Sequence, residues 1–177
     1  MPKLEIGADL WPHPGYEYLD VKPREGLSYK VDIVASAEGP IPRPDNHYDE
    51  ILASHILEHL PDENIDKALR EWLRILKPGG RLDIRVPDTN EVCKAYLEQK
   101  DLKLRWEIQR IWYGVGLEDW RLGHKVTFDK ETLTLRLQSN GFVTIRELVE
   151  IKDRHDEGWE YTGVKKMSLK LEAFKSQ

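Results

Sequence analysis

Apolar residues recur at three- and four-residue steps through one stretch of the chain. Ile65, Ala68, Leu69, Trp72, Leu73 and Leu76 fall on one face of a helix. Asp62 offers an N-cap oxygen at its start. Lys77-Pro78-Gly79-Gly80 ends it, because proline cannot continue the hydrogen-bond ladder and glycine takes the positive φ of a tight turn. A short apolar strand and a polar crest of carboxylate and imidazole precede the helix, and a second strand, 81–86, follows at once. Residues 49–88 therefore predict a βαβ crossover whose helix packs on a sheet.

The same reading extends to both sides. Residues 4–7 form a very short apolar strand, and WPHPG at 11–15 is a loop with no room for a helix. YEYLDV at 16–21 alternates large and polar residues as a second strand ending in Asp20, and VDIVA at 31–35 is a third. Three prolines make 38–47 a loop. Two helical patterns fill 89–113, the first on Val92, Ala95 and Tyr96, the second on Leu104, Ile108, Ile111 and Trp112; Gly114 and Gly116 break the second. Asp129 is placed to cap a helix running to Ser139, with Leu133 and Leu137 buried and Asn140-Gly141 closing it. Strands are expected at 142–149 and 166–174, with a hairpin loop over 153–163 between them. Strands separated by helices predict a mostly parallel α/β sheet, and the last two an antiparallel pair at one edge.

Composition narrows the picture. A length of 177 residues, 40% of them hydrophobic, suits one domain, 1–177, with a proper core. A net charge of -5 gives no global attraction to nucleic acid or to an anionic membrane, so nucleic acid is not the default partner. One cysteine, Cys93, forms neither an internal disulfide nor a thiolate cage, and no long apolar run spans a membrane. A cytoplasmic protein is the simplest expectation.

Taken together, LEIG at 4–7, GYEYLDV at 15–21, PDNHYDEILASHILEHL at 44–60, REWLRILKPGGRLDIRVPD at 70–88, GHKVTFDKETLTLRLQSNGF at 123–142 and SLKLEAFK at 168–175 are similar to the class I S-adenosylmethionine-dependent methyltransferases, in a short branch with a shortened beginning. The resemblance implies a Rossmann-like, doubly wound, mostly parallel seven-stranded sheet with an antiparallel edge hairpin, and S-adenosylmethionine as cofactor. Ligands in such sheets bind beyond the carboxyl ends of the strands. The implied donor residues are Glu5, Gly7, Ala8, Asp20, Val21, Ser36, Ala37, Ser54 and His55. Gly7 would let the backbone approach the ligand, Glu5 would order the loop and hold the methionyl amine, and Asp20 would accept both ribose hydroxyls. Ser36 would accept a hydrogen bond from the adenine amino group. Where most relatives read G-x-G, this chain reads Gly7-Ala8-Asp9, and the helix usual between the first two strands is replaced by WPHPG. These departures leave open a second reading, a non-catalytic binding or regulatory module with this fold.

Methyl transfer asks mainly for in-line alignment, since the sulfonium is already activated. If the acceptor must lose a proton, the candidate bases are His124, His55 and Asp88, in that order. Ser54, His55, Glu58 and His59 form the crest after the fourth strand. Two imidazoles and a carboxylate lie there, yet no third convergent ligand stands nearby in sequence, so no metal is expected. Residues 89–124 read as a helical insert or lid that sets acceptor choice, with Trp106, Trp112, Tyr113 and Trp120 beside Arg105, Arg110 and Arg121. The expected acceptor is a small molecule or a sugar, and a homodimer is possible if the floor beside WPHPG proves apolar and uncovered.

Overall fold

The computed structural model describes residues 1–7, 12–22, 30–114, 123–149, 162, 164 and 167–177. The strands are β1 (Lys3–Ile6), β2 (Glu17–Asp20), β3 (Ile33–Val34), β4 (Tyr48–Ser54), β5 (Leu76–Pro87), β6 (Phe142–Glu147) and β7 (Ser168–Lys175). The helices are α1 (Asp62–Ile75), α2 (Thr89–Glu98), α3 (Leu102–Tyr113) and α4 (Lys130–Ser139). One seven-stranded sheet runs β3-β2-β1-β4-β5-β7-β6. β1, β2, β3, β4 and β5 pair in parallel, while β7 is antiparallel to both β5 and β6. The last strand of the chain thus lies between two earlier ones, and the antiparallel pair occupies the expected edge.

The helix at the centre of the crossover stands as its periodicity predicts. Ile65, Ala68, Leu69, Trp72 and Ile75 of α1 are buried against the sheet. Trp72 also donates its indole N–H to the Ala37 carbonyl at 2.8 Å, so its polar edge is satisfied inside the core. Two boundaries differ from expectation. Asp62 is not the N-cap: Pro61 holds that position with no side-chain bond, and Asp62 is the first helical residue. There its carboxylate favours the positive end of the helix dipole and meets Arg136 Nη2 at 3.1 Å. Leu76, counted on the helix face, is instead the first residue of β5, paired with Tyr48. Residues 77–80 bulge out before Arg81 pairs with Glu50, and Gly79 takes the φ of +74° that this bulge needs.

α4 lies beside α1. Asp129 caps it in a reciprocal box: its Oδ1 accepts from Thr132 N at 2.8 Å, and Thr132 Oγ1 accepts from Asp129 N at 3.1 Å. At the other end, buried Asn140 donates to Asp66 and accepts from Arg70, fixing α4 to α1. From the sheet's far side of the sequence, Lys175 donates to the Leu73 and Leu76 carbonyls, each at 2.8 Å, and so closes the C-terminal end of α1.

The main core gathers the sheet, α1 and α4, with Tyr48, Trp72 and Phe142 as its largest members. Residues 89–113 form a separate smaller core: Val92 and Ala95 of α2 meet Ile108 and Ile111 of α3, with Val164 and Met167 completing it. The insert is therefore a helical hairpin with its own apolar seam. Cys93 is a free, partly exposed thiol. Among the described residues no helix is long and apolar enough to cross a membrane. The expected hairpin loop over 153–163 lies, Thr162 apart, outside the described residues.

Candidate active site

Register decides which residues meet. Ile6 pairs with Leu19 on one side and Ala53 on the other, Asp20 pairs with Val34, and Ser54 with Arg85. The residues that follow, Gly7, Val21, Ala35-Ser36-Ala37 and His55, therefore leave the sheet along one edge. The strand order reverses between β1 and β4, so this edge contains the crevice where the connections diverge to opposite sides.

Gly7 adopts φ +68°, and its N–H donates to the Leu19 carbonyl at 2.8 Å. A Cβ built there would stand 2.0 Å from Ile56 Cδ1, so both backbone and packing require glycine. Glu5 is buried, and its carboxylate accepts from His13 N at 2.8 Å while its other oxygen lies 2.9 Å from His13 Nδ1. Tyr18 donates to the His13 carbonyl. Glu5 thus holds His13 in place, and His13 is the partner that sequence reading missed; a histidine between two prolines gave no hint of where its ring would point. Ala8 lies outside the described residues.

Asp20 is 6% exposed at the end of β2, and its Oδ1 accepts the Val21 amide at 2.6 Å. The Val21 side chain itself is exposed. The Ala35 amide donates to the Asp20 carbonyl, which brings Ser36 beside it. Ser36 is exposed and its Oγ accepts from Glu38 N at 3.2 Å, while Ala37 is buried and supplies the carbonyl that Trp72 uses.

Beyond β4 the crest folds back in a short 3-10 turn, Leu57–His59. His55 takes φ +54°, a left-handed conformation that costs a non-glycine residue about 1 kcal/mol. Its ring is held at both ends, with Nε2 2.9 Å from Ser168 Oγ on β7 and Nδ1 3.2 Å from Glu58 Oε1. Glu58 is 1% exposed. Its main chain reaches across to the loop after α3: the Glu58 carbonyl accepts from Lys125 N at 2.8 Å, which sets His124 against the crest. His124 Nε2 lies 4.0 Å from Glu58 Oε1, and its ring meets that of His59 edge-on at 4.8 Å. Burial pushes the His124 imidazole down to about 4, with Glu58 opposing and His59 and His55 reinforcing the shift. Burial alone would raise the Glu58 carboxyl; the facing imidazoles of His55, His59 and His124 outweigh it and hold the group below its ordinary value.

Of the candidate bases, His124 and His55 therefore converge on one carboxylate, a third member that their sequence positions do not reveal. Asp88 is engaged otherwise. It caps α2, accepting from Asn90 N at 3.0 Å and Glu91 N at 3.4 Å, and its own N–H donates to the Met167 carbonyl. In the insert, Trp106 and Tyr113 are exposed, and Trp112 packs on Tyr96. Arg105 lies over the Tyr96 ring, and Arg110 over Trp106 while pairing with Glu107. Trp120 and Arg121 lie outside the described residues.

Residues 6–84, from the end of β1 into β5, match the model of the methyltransferase domain family. Over that stretch the chain is similar to methyltransferase domains. Among curated proteins it is similar to the ubiquinone/menaquinone biosynthesis C-methyltransferase UbiE of Pseudomonas aeruginosa, 37% identical over 75 residues. That stretch is 41% of this chain and 28% of the relative, so the match spans little more than a quarter of the curated protein. Among solved structures, the domain superposes on an S-adenosylmethionine-dependent methyltransferase from Archaeoglobus fulgidus with a TM-score of 0.61, at 16% identity, covering 98% of this chain and 86% of the other. It also matches phosphoethanolamine N-methyltransferase 2 of Haemonchus contortus, solved in complex with S-adenosyl-L-methionine, with a TM-score of 0.60 and 14% identity over 99% of this chain and 49% of the other. These likenesses show that the chain shares their α/β fold.

Proposed function

We propose that this chain transfers a methyl group from S-adenosylmethionine to a small-molecule or sugar acceptor by in-line displacement. The observation that supports the reading is the convergence of Glu5, Gly7, Asp20 and Ser36 on the sheet edge where the strand order reverses. These residues fit the donor. Asp20, an acceptor held almost entirely out of water, is suited to the ribose hydroxyls, and the Glu5–His13 pair orders the loop that would hold the methionyl end. Ser36 retains a hydroxyl hydrogen and a lone pair for the base. The cofactor supplies an activated methyl on sulfur, so the protein's task is alignment and exclusion of water.

A strong side-chain base is not part of this proposal. An imidazole brought down to about 4 is neutral at pH 7 and hence able to accept a proton, but its low basicity gives little driving force for taking one. Asp88 is committed to its helix. An acceptor that reacts without early proton loss fits this site best. The exposed Trp106 and Tyr113 on the insert offer flat apolar faces to such a molecule, while Arg105 and Arg110 are spent on neighbouring rings.

The test is calorimetric titration with S-adenosylmethionine and S-adenosylhomocysteine. Micromolar binding, about -8 kcal/mol, abolished by Asp20→Ala in a variant that keeps its melting temperature, is the expected result. No heat and no thermal shift at millimolar ligand would overturn the enzyme reading in favour of the non-catalytic module.

A further inference from the structure

We propose that Glu58, His59 and His124 form a binding site for a divalent transition-metal ion of the zinc type. One oxygen of Glu58 and one ring nitrogen from each histidine all lie within 4.8 Å of one another, with Glu58 Oε1 and His124 Nε2 4.0 Å apart. Two imidazoles and a carboxylate are a zinc donor set, with bonds of about 2.0–2.2 Å, which in tetrahedral geometry sets donor atoms about 3.4 Å apart.

A second observation points to a cation independently of that spacing. The Glu58 carboxylate is 1% exposed, and neither of its oxygens has a partner that meets hydrogen-bond geometry; His55 Nδ1 stands 3.2 Å from Oε1. Burial of such a carboxylate is costly unless positive charge faces it. A metal ion between Glu58 and the two rings supplies that charge.

The surroundings are those of a built site. Glu58 and His59 sit in one 3-10 turn, and the same Glu58 carbonyl that receives Lys125 N also receives Val126 N, so the loop carrying His124 is laced to that turn. His124 N donates in turn to the Tyr113 carbonyl, which fixes its main chain. A ligating carboxylate with a further histidine beside it is a usual outer support of a metal. His55, held by Ser168 and with Nδ1 3.2 Å from Glu58 Oε1, stands where that support would act. The third ligand comes from the far side of the insert, which is why the spacing of the crest alone argues against a metal.

The experiment is titration of the apo protein, dialysed against chelator and free of S-adenosylmethionine, with Co2+ and then Zn2+. The expected result is saturable 1:1 uptake, visible d–d absorption from bound Co2+, and displacement by Zn2+. His59→Ala and His124→Ala should each weaken binding about tenfold or more, and His47→Ala, remote from the crest, should leave it unchanged. His59 is only partly buried, so that variant keeps the test informative should Glu58→Gln or His124→Ala fail to fold. Absence of a d–d spectrum, or equal uptake by the His59→Ala/His124→Ala double variant, would overturn the proposal. The probe is the metal alone, so neither outcome bears on donor binding.

Discussion

His124 makes the protein sensitive to mild acid, by an amount that follows from its burial. Its imidazole titrates at about 4 in the fold against an ordinary value of 6.5. Between those two values the unfolded chain binds a proton that the native state refuses, so stability rises with pH across the window. The contribution is fully present above 6.5 and is lost as pH falls. With about 1.36 kcal/mol per pKa unit, the loss is about 2 kcal/mol by pH 5 and about 3 kcal/mol by pH 4. This is a large share of the roughly 5–15 kcal/mol that holds a domain together. Glu58 acts in the same direction at lower pH: its folded carboxyl lies below its ordinary value of 4.5, so its contribution is present above 4.5 and lost as pH falls below it. The interval from pH 7 to 5 therefore isolates the histidine. Urea unfolding of the native protein and of His124→Gln, each in chelator from pH 8 to 4.5, measures the effect. The gap between the two should shrink or reverse by about 2 kcal/mol between pH 7 and 5. A gap constant to within about 0.5 kcal/mol over that range would refute the claim that a buried neutral imidazole stands against Glu58.

Three further substitutions probe the scaffold. Gly7→Ala combines a positive φ, costing about 1–2 kcal/mol, with a methyl group driven into Ile56; overpacking adds about 1–3 kcal/mol, and a urea midpoint that does not fall would contradict both terms. Asp129→Ala removes the capping box of α4 and should cost about 1 kcal/mol in thermal unfolding, whereas Asp62→Ala, at a position without cap geometry, should cost clearly less. Lys175→Met takes the donor from the Leu73 and Leu76 carbonyls and should cost about 1.5–3 kcal/mol; hydrogen exchange should localise the loosening to the last turn of α1, and protection unchanged there would remove Lys175 from that role.

Much of the architecture was legible because local patterns and long-range packing agree. The apolar stripe on α1, the alternation through β7 and the Asp129 cap each follow from spacing alone. Boundaries were less legible. Asp62 has the chemistry of a cap but follows a proline whose fixed φ already starts the helix, and Leu76 continues the helical stripe although its backbone is extended. The edge proposed for the donor was legible as a set of strand ends, since Asp20 ends β2 and Gly7 follows β1 directly. The crest was not. His55 and Glu58 are neighbours in sequence, but His124 reaches them only because backbone hydrogen bonds draw residues 125 and 126 to Glu58, and no local pattern encodes that contact. His13 illustrates the same limit, since its partner Glu5 lies on a strand whose buried carboxylate looks like any polar residue of an alternating run.

The position of β7 bears on how the chain is made. β6 leaves the ribosome before the strand that joins it to the rest of the sheet, and until Ser168–Lys175 has followed, one flank of β5 offers its peptide groups to any passing strand. Vectorial synthesis therefore leaves a half-built sheet whose β3-β2-β1-β4-β5 portion is already made while its other margin is open. Arrest or proteolysis in that interval would yield a fragment able to recruit foreign strands, so the nascent chain's need for chaperone cover should end abruptly as the eight residues of β7 emerge.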